Sequence, residues 1–127
     1  MQSRVLLDTN IIIRFLVNDH AEHYTVTKKF FYALETGDKK AMLLDIIVGE
    51  IIYVLKSVYK HKKSYIVEQL KLILSYEHLY LENKVIVLES LEIYMKKNID
   101  FADAILCAKK NLEGYKVMSF DKDVKKC

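Results

Sequence analysis

Asp8, Glu50, Asp103 and Asp121 are acids set in apolar surroundings and spread across the chain. Asp8 directly follows Val5-Leu6-Leu7, and Asp121 follows Lys116-Val117-Met118-Ser119-Phe120. Both runs read as buried strands, and ligands of open α/β sheets bind beyond the carboxyl ends of the strands. Glu50 interrupts Ile46-Ile47-Val48-Gly49 and Ile51-Ile52-Tyr53-Val54-Leu55, a helix apolar almost all round, while Asp103 sits between Phe101-Ala102 and Ala104-Ile105-Leu106. An ionised carboxylate inside a buried helix is costly to desolvate unless a cation or a hydrogen-bond donor compensates. A shared divalent ion answers that need for all of these acids at once. Oxygen-only ligation selects Mg²⁺ or Mn²⁺ over zinc, which prefers His and Cys. Such an ion activates water and neutralises charge developing on a phosphodiester, so phosphodiester hydrolysis is the expected reaction. The local alternative for each acid is a cap, a salt bridge or a turn, with Asp121 opening a turn beside Lys122 and Asp123. Asp100, three positions before Asp103, is read as a helix cap, with a place as an outer ligand as its alternative; Asp123 is ambiguous in the same way.

The elements that must position these acids alternate along the chain. Val5–Leu7 reads as a strand turning at Asp8-Thr9-Asn10 into a helix over Ile11–Val17. A helix over His20–Leu34 closes at Thr36-Gly37-Asp38, and Ala41–Leu44 is a second strand, with Asp45 capping a helix over Ile46–Tyr59. Ser64–His78 is amphipathic, with Ile66, Leu70, Ile73 and Leu74 on one face. Lys84–Leu88 reads as a third strand, Glu89–Lys97 as a helix, Ala102–Leu112 as a helix stopped by Gly114, and Lys116–Phe120 as a fourth strand. This alternation predicts a three-layer α/β/α sandwich around a mainly parallel sheet of four to five strands.

The 127 residues, 52% of them hydrophobic, suit a single domain over 1–127, with no proline and no linker to divide it. No apolar stretch escapes a charge for long enough to span a bilayer, and the amino terminus lacks signal-peptide flanks, so no membrane association and a cytoplasmic location are expected. Cys107 and Cys127 form no framework of spaced pairs and are read as reduced thiols. With 20 Lys and Arg against 17 Asp and Glu, the net charge of +3 does not by itself establish nucleic-acid binding. Its distribution says more: Lys56, Lys60, His61, Lys62 and Lys63 interleave with Tyr53, Tyr59 and Tyr65 as a phosphate-facing patch or a solvated helix end. Arg14, one helical turn beyond Asn10, is read as a surface arginine with phosphate contact as the alternative. His20, His23, His61 and His78 fall in no catalytic motif and are placed at the surface.

On these residues the sequence resembles the PIN-domain family and, within it, VapC-type toxins of toxin-antitoxin pairs. Val5-Leu6-Leu7-Asp8-Thr9-Asn10-Ile11 is similar to the family's opening strand and Asp-Thr-Asn turn, and Gly49-Glu50-Ile51-Ile52-Tyr53-Val54-Leu55 to its glutamate helix. Asp100-Phe101-Ala102-Asp103-Ala104-Ile105-Leu106-Cys107-Ala108 is similar to the third acidic block, and Ser119-Phe120-Asp121 to the last. The resemblance implies a metal-dependent endoribonuclease using Mg²⁺ or Mn²⁺, with Asp8, Glu50, Asp103 and Asp121 as metal ligands and catalytic residues. It makes Thr9, Asn10 and Ser119 donors that orient the carboxylates. It also implies an RNA substrate (tRNA, rRNA or mRNA), a homodimer and a cognate antitoxin protein that reaches into the active-site groove. Two departures stand out: the chain ends at Cys127, soon after Asp121, and no proline precedes the Glu50 helix. The alternatives are a stand-alone PIN-domain RNA-processing nuclease without an antitoxin and, from a different class, an Mg²⁺-binding receiver-like signalling domain. The receiver class expects paired acids near the first strand, which Asp8 lacks.

Overall fold

The computed structural model describes residues 3–122 and 124–127, so Asp123 lies outside the described residues. The chain forms two compact units, Met1–Glu82 and Asn83–Cys127.

In the first unit, β1 (Val5–Leu6), β2 (Ala41–Leu43) and β3 (Leu79–Leu81) form a parallel sheet in the order β1-β2-β3. Val5 pairs with Ala41 and Ala41 with Leu79, while Leu6 pairs with Met42 and Met42 with Tyr80. Parallel pairing requires long crossovers. The first is α1 (Thr9–Val17) with α2 (Ala21–Thr36), and the second is α3 (Asp45–Ser57) with α4 (Lys63–Leu74). Ala41 and Leu43 of the central strand are fully buried. Against them lie Ile12, Phe31, Leu34, Val48, Ile51, Leu55, Ile66, Leu70, Ile73 and Leu74, each at most 1% exposed. Phe31 stacks on Phe15 at 4.2 Å and meets Tyr76 edge-on at 5.3 Å, which ties α1, α2 and the turn after α4 together.

Three strands are found among the described residues, where the sequence predicts four to five. Two segments account for the difference. Lys84–Leu88 is helical, because Asn83 accepts a hydrogen bond from the Ile86 N–H at 3.2 Å and starts α5 (Lys84–Lys96). The β-branched run Val85-Ile86-Val87 looks like a strand by propensity, yet Ile86, Val87, Ser90, Leu91 and Tyr94 are buried at helical spacing. The strand lies earlier, at Leu79–Leu81, within the turn region after the amphipathic helix. Lys116–Phe120 is neither strand nor helix, and its Met118 and Phe120 are 95% and 99% exposed.

The second unit pairs α5 with α6 (Phe101–Glu113). Phe101, Ala104, Cys107 and Ala108 form the buried stripe of α6, and the small alanines let the helices approach closely. Tyr94 meets Phe101 edge-on at 6.0 Å. Gly114 ends α6 at φ +74°, a left-handed position that favours glycine. A 3₁₀ turn, Val124–Lys126, packs on α6 through the buried Val124. Cys107 and Cys127 are joined by a disulfide, with Cα atoms 5.2 Å apart, so they are not the reduced thiols that their spacing suggests. A sequence separation of 20 carries no pairing signal; the 3₁₀ turn brings Cys127 back to α6. Among the described residues, no helix is long and apolar enough to cross a membrane.

Candidate functional site

The first unit supplies Asp8 and Glu50. Asp8 lies two residues past the carboxyl end of β1 and is the N-cap of α1, its Oδ1 accepting from the Thr9 N–H at 2.7 Å. The cap is thus Asp8, and Thr9 and Asn10 already belong to the helix. That bond uses one carboxylate oxygen and fixes the side chain at the positive end of the α1 dipole, where a negative charge is favoured. Thr9 is 4% exposed, and its Oγ1 has no hydrogen-bond partner among the described residues. A buried hydroxyl left unsatisfied costs about 1–3 kcal/mol. Asn10 is exposed one position on.

Glu50 departs from expectation. It is exposed, because α3 is amphipathic in burial although not in composition. Val48, Ile51, Ile52 and Leu55 face the core, while Ile46, Glu50, Tyr53 and Ser57 form the opposite stripe at helical spacing. Ile46 and Tyr53, one turn to either side of Glu50, are 77% and 60% exposed. Desolvation therefore does not constrain Glu50, whose charge stands open to a ligand. Asp45 is the first residue of α3 rather than its cap, and its N–H donates to Glu82 Oε1 at 3.2 Å.

Beyond Glu50, Lys56, Lys60 and Lys62 are exposed, and Lys60 turns the chain at φ +59°. The His61 N–H donates to the Leu55 carbonyl at 2.9 Å, and its ring meets Tyr65 edge-on at 5.1 Å, folding the basic turn back on α3. Arg14 is already engaged, its Nη1 lying 3.1 Å from Asp19 Oδ1, while the Tyr59 hydroxyl donates to Asp19 Oδ2 at 3.0 Å. Partial loss of water pushes the Asp19 carboxyl upward, but the Tyr59 hydroxyl, its own backbone N–H and the Arg14 guanidinium hold it below the usual carboxylate range. No sequence signal pairs Arg14 with Asp19; the turn at Asn18, φ +55°, makes the pairing.

The second unit supplies Asp103 and Asp121. Asp103 lies half-buried in the first turn of α6, where the helix dipole favours an anion. Asp100 occupies the N-cap position, but its side chain makes no capping bond. Burial, and then the Asp100 charge, push the Tyr94 hydroxyl above its ordinary value. Asp121 is exposed, and its N–H donates to Ser119 Oγ at 2.9 Å, so Ser119 serves the turn that carries Asp121. Of the histidines placed at the surface, His78 is half-buried and bonded to the Leu34 carbonyl, and His20 caps α2 by accepting from the His23 N–H at 3.2 Å.

Among the described residues, no three His, Cys, Asp or Glu side chains stand close enough together to hold a metal ion. In kind, the donors fit Mg²⁺ or Mn²⁺: they are carboxylate oxygens, those of Asp8 and Glu50 on exposed side chains, and the residue after Asp8 carries a buried hydroxyl with no partner among the described residues.

A parallel sheet with two-helix crossovers and an acid at the end of β1 defines an α/β fold. The family model described as PIN domain matches residues 5–127, and the chain belongs to that family. A VapC ribonuclease of Aquifex aeolicus (strain VF5) is 30% identical over 122 residues, covering 95% of this chain and 90% of the relative. The receiver-like alternative falls with this match.

Proposed function

We propose that the chain is a metal-dependent endoribonuclease and the toxin of a toxin-antitoxin pair, acting in the cytoplasm as a homodimer. The observation that carries this reading is the family match across residues 5–127, with Asp8 held at the carboxyl end of β1 by its own helix cap. The similarity to a VapC ribonuclease supports RNA as substrate and an antitoxin as partner.

Asp8, Glu50, Asp103 and Asp121 would hold Mg²⁺ or Mn²⁺, directly or through water, with Asp100 as an outer ligand. Bound there, the ion supplies a more acidic water and neutralises charge on the phosphodiester. Thr9 and Asn10 orient Asp8, and the Thr9 hydroxyl gains the partner it lacks. Ser119 shapes the turn of Asp121. Lys56 and Lys60 bind flanking phosphates as exposed cations, and Arg14 contributes through N–H groups not turned to Asp19.

The test is cleavage of single-stranded RNA by purified protein, with Mn²⁺, with Mg²⁺ and with a chelator. Cleavage is expected with either metal and in neither the chelated sample nor E50Q. Metal-dependent cleavage that survives in D8N and E50Q would defeat the reading.

A further inference from the structure

We infer that Tyr53 binds the RNA directly, its ring stacking on the unpaired base next to the phosphate that is cut. The inference rests on the ribonuclease reading above and lies wholly within the first unit.

The side of α3 turned away from the core carries it. Glu50, Tyr53 and Lys56 follow one another at three-residue steps, and all three are exposed. Helical neighbours at that spacing have Cβ atoms about 5–6 Å apart. Side chains of a helix also lean toward its amino terminus, so the Tyr53 ring leans over the turn that carries Glu50, and Lys56 leans toward Tyr53. Carboxylate, aromatic face and cation thus come in one row. A single strand of RNA offers the matching chemistry in turn: a phosphate for an ion held at Glu50, a base for the ring, and a further phosphate for the ammonium group.

The core does not use Tyr53. Val48, Ile51, Ile52 and Leu55 supply the buried face of α3, while Tyr53 is 60% exposed. Among the described residues its side chain has neither a ring contact nor a hydrogen-bond partner. The other two tyrosines interleaved with the basic turn are engaged: the Tyr59 hydroxyl donates to Asp19, and the Tyr65 ring meets His61 edge-on. Beyond Tyr53 stand the exposed Lys56, Lys60 and Lys62, a charge complementary to a phosphate backbone. An open ring followed by cations suits an unpaired base, because every base has a π-face, and in a duplex that face is covered by the neighbouring pairs.

The test is binding of three fluorescein-labelled probes to the full chain in a chelator, so that nothing is cut. The probes are a mixed-sequence single strand of RNA, an abasic strand of equal length that keeps every phosphate, and the duplex of the first strand with its complement. Y53A should weaken binding of the single strand about 10-fold, the worth of one stacked base, and leave the abasic strand and the duplex unchanged. Y53F, which keeps the ring, should bind as wild type does, and Y53L, which keeps only apolar area, should behave as Y53A. K56A should weaken all three probes alike and lower the salt dependence, as loss of a phosphate contact does. Since the chain contains no tryptophan, Y53W places a single reporter at this position, and its emission should be quenched by the single strand and not by the abasic one. The kcat/KM for cleavage of the single strand with Mn²⁺ should fall in Y53A by the same factor. Unchanged binding and kcat/KM in Y53A, an equal loss for the single and abasic strands, or emission of Y53W that neither strand alters would overturn the inference. So would a smaller assembly of Y53A in sedimentation with RNA affinity kept, which makes Tyr53 a contact between copies of the chain. A wild-type protein that neither binds nor cuts the single strand sinks the ribonuclease reading and the inference together, whereas wild-type cleavage matched by Y53A sinks the inference alone.

Discussion

The His78 ring ties the start of β3 to the end of α2: its Nδ1 lies 2.8 Å from the Leu34 carbonyl oxygen, and since a carbonyl only accepts, Nδ1 carries the proton. The same ring covers Gly37, the left-handed residue at φ +87° that closes α2, with Cε1 and Nε2 each 3.2 Å from where a Cβ would stand. Gly37→Ala should therefore destabilise the protein by about 1–2 kcal/mol, from strained φ and a crowded ring. His78→Ala should cost about 1–3 kcal/mol by leaving a carbonyl unpaired. Urea unfolding of both variants checks this. A G37A protein as stable as wild type would show that the ring moves aside freely.

Glu50 offers a separation of stability from activity. Because its side chain is exposed and unconstrained by burial, Glu50→Gln should leave the urea midpoint within about 0.5 kcal/mol of wild type. RNA cleavage should nevertheless fall by two orders of magnitude or more if Glu50 binds the metal. A large loss of stability would instead return Glu50 to the interior that its neighbours in sequence suggest.

Thr9 tests the metal site from its edge. Thr9→Val removes a buried hydroxyl that has no partner among the described residues, so metal-free stability should hold or rise by up to about 1 kcal/mol. Mn²⁺ affinity should fall about 10-fold, because the hydroxyl that would gain a partner in the loaded site is gone, while the Thr9 N–H that holds Asp8 stays. Thermal melts with and without Mn²⁺ report both quantities at once. A variant that loses stability without metal would show that the hydroxyl is already satisfied.

Tyr94 gives a dependence on alkaline pH. Its hydroxyl is held above the usual 10.0 by burial and by the Asp100 charge, so the folded state prefers the neutral phenol. A raised pKa means stability that is fully present below the unfolded value and is lost as pH rises through the folded one. Stability should therefore decline above about pH 10 more steeply in wild type than in Tyr94→Phe. Asp100→Asn should bring the Tyr94 titration, followed by ultraviolet absorbance, part of the way back down. An unchanged titration in D100N would remove Asp100 from the surroundings of Tyr94.

Much of this protein was legible before any coordinates. Val5-Leu6-Leu7-Asp8-Thr9 announces a strand turning into a capped helix, and the period of Ile66, Leu70, Ile73 and Leu74 fixes the buried face of α4, because both signals are local and repeat with the geometry of the backbone. The family follows from the same blocks in order. Three things required the tertiary structure. Val85-Ile86-Val87 prefers strand by side-chain shape, but the Asn83 cap and the packing of Ile86, Leu91 and Tyr94 make it a helix, since burial outweighs a propensity of a few tenths of a kcal/mol per residue. Glu50 looks buried among its neighbours in sequence, but exposure depends on which side of α3 is covered, and composition does not carry that. Cys107 and Cys127 meet only because a turn carries one back to the other, a proximity made by the path of the chain and not by spacing.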